Sequence, residues 1–196
     1  MAYPIVIIAF FLASFNVLKP SEKIIYFDVV HKNNIVGRLK ATKIEEGTTI
    51  HYQSSTSIST RIIREINVNY DYDVVFNAGL LQKSDVKITV NDKIHAETST
   101  VLLDNTYHIK KDAKDIPIAE AIQYSTIQLY FEEPKHISKC YSEQDGSFNS
   151  IVNLGNQSYK KTNAKGRENI YTYKEGELMS ATIDGGFVSF QIIARE

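Results

Sequence analysis

From Ser21 onward, apolar residues recur at every second position, and the apolar stretches are separated by pairs of Asn, Asp and Gly. A period of two sends alternate side chains to opposite faces of a strand. Those pairs tolerate the positive φ of a tight reversal, so the pattern predicts successive antiparallel hairpins. The longest stretch is Thr60 to Phe76. Its even positions, Ile62, Arg64, Ile66, Val68, Tyr70, Tyr72, Val74 and Phe76, make a mostly apolar face, while Asn67, Asn69, Asp71 and Asp73 lie on the polar one. As one strand its seventeen residues would run roughly 55 Å at about 3.3 Å each, so a bend or bulge is expected within it. The same rhythm predicts strands at Ile24–Lys32, Ile35–Glu45, Thr48–Ser57, Leu80–Val90, Ile94–Leu103, Ile127–Phe131 and Ile137–Glu143. It continues through Phe148–Leu154, Gln157–Thr162, Asn169–Lys174, Glu177–Ile183 and Phe187–Ala194.

Alternation stops between Lys110 and Ser125. There Asp115 can cap, Pro117 stands near a first turn, and Ile118, Ala121 and Ile122 follow at i, i+3 and i+4, which predicts one short amphipathic helix. Its narrow apolar stripe has one obvious place to be buried, the concave face of the sheet. The expected fold is mainly β: a curved antiparallel meander, a half-barrel of about 11–12 strands, wrapped around that helix. No Pro/Gly/Ser linker or charge block divides residues 22–196, which read as a single half-barrel domain.

Pro4 to Phe15 is an unbroken apolar run apart from its serine, and 15 of the first 18 residues are apolar. That is the length of a signal-peptide core and short of the ~20 residues that span a bilayer. Residues 1–20 are therefore read as an export signal, with an uncleaved N-terminal anchor as the alternative, and the body as periplasmic or envelope-associated. With 22 Lys+Arg against 23 Asp+Glu, the chain lacks the basic field of a nucleic-acid binder. One Cys excludes a disulfide scaffold, and Cys140 reads as a small buried side chain.

Candidate chemistry is sparse. His31, His51, His95, His108 and His136 are far apart in sequence and form no HxH or HExxH pair. Ser142 to Ser147 lacks the alternating oxygen ligands and closing glutamate of a calcium loop and reads as a hairpin turn. Asp71 and Asp73 share a strand side about 7 Å apart, but it is the polar, solvent-facing side. No GxSxG occurs, and no glycine-rich loop joins a strand to a helix. No catalytic residue, metal site or cofactor is predicted, and the chain does not read as an enzyme. Glu132-Glu133-Pro134 follows the strand at Ile127–Phe131, which places its carboxylates at a sheet rim.

What stands out is aromatic content, 12 Tyr and 9 Phe, largely on predicted strands. Rings with polar tips suit a packed core or the wall of an amphipathic pocket. The candidate ligand-binding set is Arg64, Ile66, Val68, Tyr70, Tyr72, Phe76, Phe131, Glu133, Tyr141 and Tyr171. Arg64 interrupts the apolar row: at a cavity edge it could meet an anionic head group, or it could snorkel at a strand edge.

Several stretches together resemble a family of exported bacterial proteins known only as a domain of unknown function. They are Tyr26-Phe27-Asp28-Val29-Val30 with Ile35-Val36-Gly37, Asp73-Val74-Val75-Phe76 with Gly79, Tyr130-Phe131-Glu132-Glu133-Pro134, Tyr141-Ser142-Glu143 with Asp145-Gly146, and Tyr171-x-Tyr173 with Gly176-Glu177-Leu178. That family is similar in turn to the lipoprotein-carrier (LolA/LolB-like) half-barrels, whose curved sheet wraps a helix and encloses an apolar cavity for acyl chains. The resemblance marks Gly37 and the Glu143–Gly146 turn as family-typical positions without assigning them a role. Two functions stay open: a monomeric envelope protein holding a lipid or other apolar small molecule, or a non-catalytic structural protein with a filled core and an envelope protein as partner.

Overall fold

The computed structural model describes residues 19–61, 65–184 and 189–195. The proposed export segment, Arg64 and the Gly185-Gly186 turn lie outside them. No helix among the described residues is long and apolar enough to cross a membrane.

Among the described residues, fourteen strands form one antiparallel sheet. They are β1 (Ser21–His31), β2 (Asn34–Glu46), β3 (Thr49–Arg61), β4 (Glu65–Asn77), β5 (Leu80–Val90), β6 (Lys93–Leu103), β7 (Thr106–Lys111), β8 (Lys114–Ile118), β9 (Lys139–Ser142), β10 (Ser147–Gly155), β11 (Ser158–Thr162), β12 (Glu168–Lys174), β13 (Glu177–Asp184) and β14 (Ser189–Ala194). Spatially the order is β8 back to β1, then β14 back to β9, so the first strand lies mid-sheet between β2 and β14. Turns such as Lys32-Asn33, Asn91-Asp92 and Asp104-Asn105 have positive φ at both residues, the geometry that two-residue hairpins require. Register shifts at Val29/Val30, Val75/Phe76 and Ile88/Thr89 interrupt the ladders, and such bulges curl a sheet.

The end strands β8 and β9 do not pair with each other, so the barrel is unclosed. Side chains bridge the gap instead. Lys111 Nζ donates to the carbonyls of Gln144 (2.8 Å) and Asp145 (3.1 Å), and Thr98 Oγ1 donates to Gln144 O at 3.0 Å. Tyr141 and Thr100 hydroxyls meet at 2.7 Å. Gly146, at φ +68, lets the turn press on β7: a Cβ there would lie 2.8 Å from Ile109 Cγ2.

Three expectations are corrected. The long strand at Thr60–Phe76 is two strands, β3 and β4, paired from Thr49↔Asn77 to Arg61↔Glu65, which satisfies both ladders. The helix expected around Asp115–Ile122 is absent. Positive φ at Asp112 and Ala113 turns the chain into the edge strand β8, and Pro117 is tolerated there because an edge strand does not need every N–H. The strand expected at Ile127–Phe131 is instead a short 3-10 helix, Thr126–Tyr130. Tertiary partners impose it: the Glu143 carboxylate accepts the N–H groups of Thr126 (3.2 Å) and Ile127 (3.1 Å), and Gln128 Oε1 accepts the N–H of Ser125 (2.8 Å).

This 3-10 helix and its flanks, residues 119–138, are the plug of the concavity. Ile122, Ile127, Leu129 and Phe131 are buried against inward residues of the sheet, Phe27, Tyr52, Val74, Phe76, Tyr107 and Tyr173 among them. Backbone and side-chain bonds pin the segment: Leu81 N donates to Ile122 O (2.9 Å), Tyr141 N to Tyr124 O (2.8 Å), and the Tyr173 hydroxyl to Leu129 O (2.7 Å).

Candidate functional site

The plug fills most of the concavity but leaves a cavity of about 210 Å³ beside Thr126 and Tyr130. Alternation in the flanking strands builds its wall. Val29 of β1, Leu39 of β2, Ile58 of β3, Tyr70 of β4, Tyr171 of β12 and Ile192 of β14 all point inward and make an aliphatic and aromatic floor. Burial raises the pKa of Tyr70, Tyr72, Tyr130 and Tyr171, so their hydroxyls stay protonated and able to donate.

The other end is polar, with Lys161, Asn163, Arg167 and Asn169 from β11, β12 and the turn between them. Lys161 stands opposite Ile151 and Asn169 in the ladders, on the inward face. It is 8 % exposed and has no hydrogen bond or ion pair among the described residues. Its electrostatic neighbour Glu143 is engaged with the 3-10 helix. Asn163 Oδ1 accepts the N–H groups of Lys165 (2.9 Å) and Arg167 (3.0 Å), which leaves its NH₂ as the free end of the amide. Asn169 Oδ1 likewise accepts the N–H of Asp184 at 2.9 Å. Acids are present too: Asp145 and Asp184 line the cavity, and Asp145 accepts the Ser142 hydroxyl at 3.2 Å.

The candidate residues separate. Tyr70, Tyr72 and Tyr171 come together on the cavity wall. Phe76 and Phe131 instead sandwich Tyr52 within the core, at ring distances of 6.0 and 5.4 Å. Tyr141 is buried under its bond to Thr100, and Ile66 and Val68 are half-buried on β4 away from the cavity wall. Glu133 does not lie at a sheet rim. The 3-10 helix carries it inward, where its carboxylate, with 4 % of the side chain exposed, accepts the Tyr159 hydroxyl at 2.7 Å and pairs with Lys135 at 3.3 Å. Burial pushes the Cys140 thiol up to about 11. Asp71 and Asp73 face outward, bonded to Ser55 (2.8 Å) and His51 (2.8 Å).

Lys161 escaped the sequence reading because Lys160-Lys161 resembles a solvated pair; its parity with Tyr159 was the available signal. A larger groove of about 1000 Å³ runs along the outer side of β2–β7. Its lining carries both signs of charge, several of them paired, as in Lys83–Asp85 at 2.6 Å and Lys87–Glu97 at 4.0 Å. It therefore presents a mixed polar surface rather than a selective one. No group of three or more His, Cys, Asp and Glu among the described residues is placed to hold a metal ion.

The family model of a domain of unknown function, DUF6134, matches residues 27–195. No curated protein matches the chain. Among solved structures, a crystal structure of a β-barrel-like protein of another domain of unknown function, DUF1849, from Brucella abortus, aligns with a TM-score of 0.57 at 11% identity, covering 88% of this chain and 95% of that one. At that identity the likeness is one of fold alone.

Proposed function

Because the chain belongs to the DUF6134 family, whose name carries no activity, we propose from the geometry that it is a non-enzymatic, monomeric binding protein of the cell envelope that takes a small amphipathic molecule into the cavity beside the plug. One observation carries this reading: inside an otherwise filled barrel, a pocket with an aliphatic and aromatic floor and a hydrogen-bonding end is left open. Its volume of about 210 Å³ lies below the ~300–1,000 Å³ of ordinary ligand sites. The occupant is accordingly smaller than the acyl chains that the half-barrel carriers enclose. Export rests on the apolar run at Pro4 to Phe15.

Native mass spectrometry of purified protein, with organic extraction and thermal shifts on adding six- to ten-carbon acids and alcohols, tests the proposal. A copurifying small amphiphile, or a raised Tm with any of these ligands, is expected. A clean apo mass with no shift for any of them refutes it. The plug's packing favours a second reading, an envelope scaffold whose concavity serves only stability. That reading expects the apo result together with a copurifying envelope protein.

A further inference from the structure

The cavity's chemistry is uneven in a way that selects among amphiphiles. A lysine that is 8 % exposed normally has a counter-ion, because an isolated buried ammonium is costly. The Lys161 ammonium forms no hydrogen bond or ion pair with another described residue, its electrostatic neighbour Glu143 being held by the 3-10 helix, and it lines the cavity. The groups around it donate. Arg167 is exposed at the same end with no partner for its guanidinium among the described residues. The Asn163 carbonyl oxygen is occupied by the backbone N–H groups of Lys165 and Arg167, so its amide presents its donor end. Of the acids, Glu143 is buried in its bonds to Thr126 and Ile127, Asp145 accepts from Ser142, and Asp184, also in the lining, is itself engaged. What the cavity leaves open is an ion-pair partner for the buried Lys161 ammonium beside the apolar floor.

We propose that the natural occupant of the cavity is a single-chain amphiphile with an anionic head group, paired with Lys161 and flanked by Asn163 and Arg167, its chain lying on Tyr70, Tyr171 and Ile192. The inference rests on the binding reading above and deepens it. The volume of about 210 Å³ holds roughly seven groups of the ~30 Å³ that a water molecule takes in the liquid. A chain of about six carbons fits that space, whereas a two-chain lipid does not.

Calorimetry or ligand-observed NMR with hexanoate, hexyl phosphate, 1-hexanol and hexylamine tests it on the unaltered protein. At least one of the two anions is expected to bind tenfold or more tighter than hexanol, with hexylamine weakest. Which anion binds tighter distinguishes a carboxylate from a phosphate head group. Lys161→Met is expected to abolish the tenfold preference, and Lys161→Arg to restore it in part. Equal binding of hexanol and both anions by the unaltered protein overturns the anion inference and leaves the binding reading standing. So does a preference that survives Lys161→Met. If none of the four binds at millimolar concentration, both readings fall. The comparison on the unaltered protein decides the matter even where a variant does not fold.

Discussion

Gly37 offers the sharpest mechanical test of the fold. It lies in β2 opposite Val29 on one side and Ile58 on the other, where β1 is bulged. A Cβ built on it would lie 2.2 Å from Ser57 O and 2.9 Å from Ile58 Cα, both backbone atoms that no rotamer change can remove. A relaxed C···O contact is about 3.3–3.6 Å, so Gly37→Ala must move β3 by roughly 1 Å. Overpacking costs about 1–3 kcal/mol, and loosening one or two ladder hydrogen bonds beside it costs about 1 kcal/mol each. The expected loss is therefore about 2–5 kcal/mol, which for a domain of this size lowers Tm by about 4–20 °C. Gly47→Ala is the control. Space around Gly47 is open, but its φ is +60, so its cost is the left-handed strain of about 1–2 kcal/mol. Urea unfolding followed by the fluorescence of the 12 tyrosines, in a chain without Trp, measures both variants. A Gly37→Ala protein within 1 kcal/mol of the parent, or more stable than Gly47→Ala, would refute the close approach of β2 and β3.

Three further outcomes follow from the plug. Leu129, 1 % exposed in the 3-10 helix, should cost about 2–5 kcal/mol when cut to Ala, read by thermal unfolding; an unchanged Tm would mean that the plug does not pack as described. Burial raises the Glu143 pKa above its ordinary 4.5, so the native state holds that proton more tightly than the unfolded chain does. Glu143's own contribution is thus greatest below about pH 4.5 and declines as pH rises through the raised value. The stability of the parent minus that of Glu143→Gln should fall between pH 4 and pH 7, and a difference that is flat or rises contradicts it. Cys140, fully buried with its thiol pKa raised to about 11, should react with a thiol reagent only after unfolding; rapid labelling of native protein would show that the interior opens.

The hairpin architecture is legible where turns use residues suited to positive φ. Asn91-Asp92 announces itself, whereas Asp112-Ala113 does not, because Ala carries no turn preference. The hairpin β7–β8 was hidden by that alanine, and Asp115, Pro117 and the spacing of Ile118 and Ile122 imitate a helix start. Ile127–Phe131 alternates like a strand, but its conformation is set by a carboxylate sixteen residues away from Ile127, which local pattern cannot reveal. Tyr70, Tyr72 and Tyr171 could be named as candidates from parity alone. Their separation from Phe76, Phe131 and Tyr141 depends on where the plug lies, and that information is wholly tertiary.

The neighbourhood of β1 shapes how this molecule must be built. Its Phe27 to Val30 segment binds β2 through a local hairpin but β14 only through residues 191–194, at the far end of the chain. Until that last strand arrives, β1 presents an unsatisfied row of amides and carbonyls beside a strongly apolar flank, the setting in which two nascent copies join instead of one copy completing itself. Removal of the C-terminal strand should therefore yield oligomers rather than a smaller soluble body. A permuted chain that joins the two ends and begins at β9 would lose the parallel bridge of Ser125 to Tyr141 as its local link, yet gain a β14–β1 hairpin that forms early.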